Sequence, residues 1–177
     1  MKYRNIVAAH LVLVSLLLIV PIAAAQGPAS ALAKLLSGTY RLHGDNTDAR
    51  LQLVGVGGTG STLDVLATAS GTYQGKDVHQ QAVLRLVSEG PDVRVTAIPH
   101  FTPVTEASPD VTRFSDTETQ AACTFYLKPH GQGWAGATQG AVTCVAGAAG
   151  QWEVDITPGT IRFTNPQTKQ VLVFHKA

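Results

Sequence analysis

The sequence predicts an all-β chain, an antiparallel barrel of about ten strands with one short helix at its start. Three observations carry this. Short stretches in which apolar and polar residues alternate at period 2 recur across residues 40–174, the pattern of strands with one face covered. Glycine, proline, asparagine and aspartate separate them at hairpin spacing, as in Glu89-Gly90-Pro91 and Thr157-Pro158-Gly159. Helical periodicity is never sustained. A sandwich would use the same strands. The barrel is preferred because closure hides every strand edge and leaves room for one small ligand.

The first residues stand apart from this pattern. Lys2 and Arg4, an apolar run over residues 6–22 and then Ala23-Ala24-Ala25 are the basic start, core and small-residue ending of a secretory leader. We therefore expect a signal peptide over residues 1–25 and a single barrel domain over 26–177, in a periplasmic or secreted protein that does not span a membrane after cleavage. Cleavage takes two of the 13 basic residues away, leaving a formal charge of −1 against the 12 acidic ones. Nucleic acid is excluded as a partner, because phosphates need clustered Lys and Arg.

Residues 28–37 read as the helix, with Leu32, Leu35 and Leu36 on one face and Gly38 placed to end it. Such a segment can pack on a sheet or close one end of a barrel. Tyr40 and Leu42 then oppose Arg41 and His43 on a first strand, and Gly44-Asp45-Asn46 is a turn. Leu51 and Leu53 oppose Arg50 and Gln52 on the second. Residues 55–60 contain a literal G-x-G-x-x-G, but strand-like residues follow where a dinucleotide site needs a helix. The run is expected as a hairpin loop.

Further strands are expected at 63–69, 81–87 and 93–98, with Leu84 and Leu86 opposing Val83, Arg85 and Val87. Residues 99–122, interrupted by Pro103 and Pro109, read as a long connection with one helical turn near 115–120. Cys123, Phe125 and Leu127 next oppose Thr124, Tyr126 and Lys128, and residues 129–133 turn the chain back through Trp134 towards Cys144. Trp152, Val154 and Ile156 oppose Glu153 and Asp155, which are expected on an outward polar face. Residues 171–174 are continuously apolar, suiting a last strand covered on both sides.

The two cysteines of an exported chain are expected to pair as Cys123–Cys144, worth about 3 kcal/mol in the chain-entropy model. No two of the histidines His43, His79, His100, His130 and His175 stand at a metal-ligating spacing, and no Gly-x-Ser-x-Gly elbow is present. No catalytic residue is assigned. Candidate ligand contacts are the aromatic and cationic side chains of the expected strands: Trp134, Tyr40, Arg85 and Tyr126. Trp134 stands beside Gly133, and small neighbours leave room for a flat ligand above its ring. Inward arginines would suit carboxylates; outward ones would only solubilise. The expected partner is a small, largely apolar ligand, with a homodimer left open.

The cysteine block also resembles a known family. Cys123-Thr124-Phe125-Tyr126-Leu127-Lys128, then Gly133-Trp134-Ala135-Gly136-Ala137-Thr138-Gln139-Gly140 and Cys144, is similar to the cysteine strand, return strand and second cysteine of the CpeT/CpcT phycobiliprotein chromophore lyases. Glu153-Val154-Asp155-Ile156-Thr157-Pro158-Gly159 resembles that family's next strand and turn, while Thr164-Asn165-Pro166 departs from its Asp-Arg-Gly. The resemblance implies a lipocalin-like calyx, a tetrapyrrole or bilin as its guest and, where the family activity is kept, lyase chemistry attaching that bilin to a protein cysteine. Small exported barrels with one disulfide also resemble bacterial metalloprotease inhibitors, which use a filled barrel as a platform.

Overall fold

The computed structural model describes residues 27–98, 103–105, 112–114, 123–139, 142–145 and 148–177. The expected leader and the helical turn near 115–120 lie outside them. A helix, α1 (Pro28–Leu36), is followed by β1 (Gly38–Gly44), β2 (Thr47–Thr59), β3 (Thr62–Tyr73), β4 (Lys76–Glu89), β5 (Asp92–Ile98), β6 (Pro103–Thr105) and β7 (Thr112–Phe114). Then come β8 (Cys123–His130), β9 (Gly133–Thr138), β10 (Val142–Val145), β11 (Ala148–Gly150), β12 (Glu153–Thr157), β13 (Thr160–Thr164) and β14 (Val171–Lys176).

Ten of these strands close an antiparallel barrel in the order β1-β14-β13-β12-β9-β8-β5-β4-β3-β2. The all-β, ten-stranded barrel with one short helix is thus the architecture the sequence predicts. Neighbours in the chain are neighbours in the ring, apart from the seam where β1 meets β14. The pairs β6–β7 and β10–β11 are separate hairpins set into the connections from β5 to β8 and from β9 to β12.

Because side chains alternate along a strand, the register carries one face right round the barrel. Leu53 lies opposite Ala67 and Ala67 opposite Ala82, while Leu51, Ala69 and Gln80 form the next inward row. Val95 faces Phe125, and Val154 faces both Gly136 and Phe163. All of these point inwards. Asp64, Arg85, Thr96 and Thr124 form a row on the outside. The outer wall is rich in polar residues, and the inner one is almost wholly apolar.

α1 plugs one end. Pro28 opens the helix at a position whose N–H would be unpaired in any case. Ala29, Leu32 and Leu36 turn their apolar stripe into the barrel and are buried there. Burying a leucine contributes about 1.5–3 kcal/mol. Two polar contacts fix the plug: the Ala29 N–H donates to Ser88 Oγ at 3.0 Å, and Tyr40 Oη donates to the Leu35 carbonyl at 3.2 Å. Ser37 ends the helix, its N–H and hydroxyl both donating to the Ala33 carbonyl.

Three expectations are corrected. Residues 55–60 are not a loop; β2 runs on to Thr59 and only Gly60-Ser61 turn. The glycines allow a bulge between Gly55 and Gly57 and let β3 come so close that a Cβ on Gly58 would strike the Thr62 carbonyl. Strands β3 and β4 outrun their expected ends, continuing through Gly71 to a tip at Gln74-Gly75. Residues 171–174 are not covered on both sides: Val171 is 43% exposed, because β14 is a barrel wall whose outer face meets solvent.

Candidate functional site

The inward rows do not fill the barrel. A cavity of about 800 Å³ runs from Leu36, on the plug, to Tyr73 at the tip of the β3–β4 hairpin. Its size lies within the range of small-molecule sites. The space follows from residue volumes. One wall carries small side chains at inward positions, Ala49, Ala67, Ala69, Ala82 and Ala97 among them. The facing wall is bulky: Phe125, Val154, Ile156, Ile161, Phe163 and Phe174. Phe163 packs against Phe125 with ring centroids 6.0 Å apart and, edge to face, against Phe174 at 6.2 Å. Short side chains on one wall cannot reach the long ones on the other.

The lining is predominantly apolar, and its polar members gather towards the open end. Tyr73 Oη accepts a hydrogen bond from Gln170 Nε2 at 2.8 Å and a longer one from Gln74 Nε2 at 3.4 Å. The first joins two hairpins that are not neighbours in the barrel, since β1 and β2 lie between β14 and β3. Gln80 faces inwards, level with Ala69. Arg50 and Gln81 also border the cavity, though the register sets both on the outer face. Cys123, buried, closes the wall beside Ala97.

The side chains put forward from the sequence do not converge. Trp134 is buried near the plug, opposite Ile156. Tyr40 is fully buried at the same end, with Lys176 Nζ 5.7 Å from its ring centroid; burial pushes its phenol pKa up. Arg85 sits on the outer wall, where its Nε and one terminal nitrogen grip the Asp64 carboxylate at 3.0 and 3.1 Å. Tyr126 is 41% exposed on the outside. The walls of the cavity are made by other residues. Of the expected cysteine pair, Cys123 is placed, and β10, which carries Cys144, lies beside β8. The Cys144 side chain is outside the described residues.

Sequence reading missed the alanine wall, the inward Gln80 and the Tyr73–Gln170 contact. The available signal was the alternate pair Ala67 and Ala69 in β3, with a single alanine in each of β2 (Ala49) and β4 (Ala82), which becomes informative once the register sets Ala67 opposite Ala82. Trp152 is fully buried, exchanging hydrogen bonds with Thr138: its N–H donates to Thr138 Oγ1 at 3.0 Å and its carbonyl accepts from the Thr138 N–H at 2.8 Å.

Among the described residues no group of three His, Cys, Asp or Glu side chains is placed to hold a metal, and no helix is long and apolar enough to cross a membrane. No family model, curated protein or solved structure matches the chain, so a functional reading rests on the barrel and its cavity.

Proposed function

We propose that this protein is an exported calyx that takes up a small, largely apolar ligand. One observation carries the reading: an apolar cavity of about 800 Å³ floored by α1 and reaching the opposite end of the barrel. Interiors normally pack to crystal-like density, so a space this large is a departure that ligand uptake accounts for. The unfilled interior favours ligand binding over the protease-inhibitor reading, which needs a solid barrel. The charged outer wall, with pairs such as Arg85–Asp64 and Arg94–Glu89, favours a surface in water over one in lipid.

The leader expected over residues 1–25 places this calyx outside the cytoplasm, where Cys123 and Cys144 would be held as a disulfide. The tetrapyrrole named by the CpeT/CpcT resemblance is one candidate guest.

A neutral fluorescent probe such as N-phenyl-1-naphthylamine tests the proposal. Saturable, blue-shifted emission at one probe per chain is the expected result, with a Kd in about the micromolar range. Ala69→Phe, which puts a ring into the cavity, should abolish it. A non-saturable signal, or one that Ala69→Phe leaves unchanged, would overturn the calyx.

A further inference from the structure

Charge is distributed across this barrel in a way that selects among apolar ligands. Following the register round the ring, the charged residues of β2 to β5 and of β8, β12 and β13 fall on the outer face, apart from Lys76 at the hairpin tip. Several are already matched there: Arg85 with Asp64, Arg94 with Glu89 at 2.7 Å, and Lys128 with Asp92 at 3.9 Å. Lys176 also has inward register, but it sits at the plugged end over Tyr40. Among the described residues, the one charged side chain that borders the cavity, Arg50, has outward register and is exposed to solvent, so the apolar interior holds no desolvated ion for a charged ligand to pair with. A carboxylate drawn into such a space loses its water without gaining a partner, which costs several kcal/mol.

Neutral hydrogen-bonding groups are present: Tyr73 and Gln170 meet at the mouth, and Gln80 stands four residues along the wall from Tyr73, level with Ala69. Both hydrogen bonds recorded at Tyr73 Oη use the oxygen as acceptor, which leaves the hydroxyl proton available to an incoming oxygen. Gln80 faces inwards with both amide donors and its carbonyl uncommitted among the described residues. Gln170 completes the group from the other side of the mouth.

We propose, building on the calyx reading, that the ligand is an amphiphile with one long apolar body and an uncharged oxygen-bearing head, a hydroxyl or a carbonyl. It enters body first, reaches towards Leu36, and leaves its head within reach of Tyr73 and Gln170 at the mouth or of Gln80 further along the wall. Dicarboxylic ligands, tetrapyrroles included, are disfavoured, because two propionates would have to share a mouth whose nearby cations, Arg50 and Lys76, are exposed to solvent and worth little.

Retinol and retinoate share a skeleton and differ in this head. Titrated into the full chain at pH 8, alongside biliverdin and the phenylnaphthylamine reporter, retinol should bind at least about tenfold more tightly than retinoate, the discrimination of one hydrogen-bonded neutral group against an unpaired charge. Tyr73→Phe combined with Gln80→Leu should leave the reporter bound and shrink the retinol-to-retinoate ratio towards one. Retinoate or biliverdin binding as tightly as retinol would overturn the head-group assignment while leaving the calyx standing. So would a ratio untouched by the double variant. Failure of the reporter itself to bind would remove the calyx, and this assignment with it.

Discussion

At the plugged end of the barrel the hairpins turn on Gly60, Gly90 and Gly131, at φ of 61°, 64° and 57°. At the mouth the corresponding conformations fall on Asn46, Gln74 and Lys169, at 52°, 51° and 62°, with Gly75 beside Gln74 at 76°. Glycine adopts this region without a steric penalty, whereas Gln and Lys are held in it at about 1–2 kcal/mol each. The packing differs in the same direction. The plug buries Ala29, Leu32 and Leu36 and hydrogen-bonds to two strands, while inward residues nearer the mouth, such as Leu51, Ala69 and Gln80, keep accessible surface. Relaxed turns and dense packing hold one end together, and strained turns surround an unfilled space at the other. Trp152 and Asn165 are fully buried at the mouth end, so the contrast lies in the turns and in the plug rather than in every residue. It puts the less relaxed turns where a ligand would enter, as expected when binding regions occupy the less stable parts of a fold.

The contrast breaks most visibly at the plug. Leu32 is fully buried, so Leu32→Ala should lower the unfolding free energy by about 2–5 kcal/mol in urea titrations, whereas Tyr73→Phe at the mouth should cost less than about 1 kcal/mol. Equal losses at the two ends would erase the difference.

A second test converts one end towards the other. Ala69→Phe should cut affinity for a neutral apolar probe by at least about tenfold while leaving unfolding within about 1 kcal/mol of the parent, since the ring enters existing space and does not overpack a filled core. A large destabilisation would mean that the wall behind Ala69 is already full.

The smallest effect is expected at Tyr40. Its hydroxyl bond to the Leu35 carbonyl is worth about 1 kcal/mol, which Tyr40→Phe should forfeit at neutral pH. Burial raises the phenol pKa in the folded chain above its ordinary value near 10.0. The native state therefore holds this proton more tightly than the unfolded one. Its contribution is complete below about pH 10 and is lost as pH climbs through the raised folded value. Parent and variant unfolding curves should converge in that alkaline window. Parallel curves through pH 11 would show that the hydroxyl is not desolvated at the plug.

Much of the wall was legible in the sequence, because a half-buried strand must alternate. The alternation of Cys123, Phe125 and Leu127 with Thr124, Tyr126 and Lys128, and of Leu84 and Leu86 with Arg85, could be read without coordinates, but which set lined the interior could not. The helix was legible for the same reason. The glycine run at 55–60 misled because glycine marks both turns and bulged strands, and only the partner strand distinguishes them. Strands β3 and β4 were cut short at residues 69 and 81 because Gly71 and Gly75 read as the separators, although β3 runs through Gly71 and only the tip at Gln74-Gly75 turns. The cavity was illegible for a deeper reason. Aromatic and cationic residues attract attention as ligand contacts, yet here Arg85 is occupied by Asp64 and Trp134 packs against the plug. The space is made by alanines, whose effect depends on what stands across the barrel and so cannot be seen along the chain.

The seam between β1 and β14 has a practical side. Ala177 donates its N–H to the Thr39 carbonyl at 2.8 Å, and the Ala29 N–H reaches Ser88 at the same pole of the molecule. Anything grafted after residue 177, whether an affinity handle, a fluorescent label or a surface tether, would depart from the floor. Chips and beads coated through the C-terminal end would thus present the opening to the passing solution.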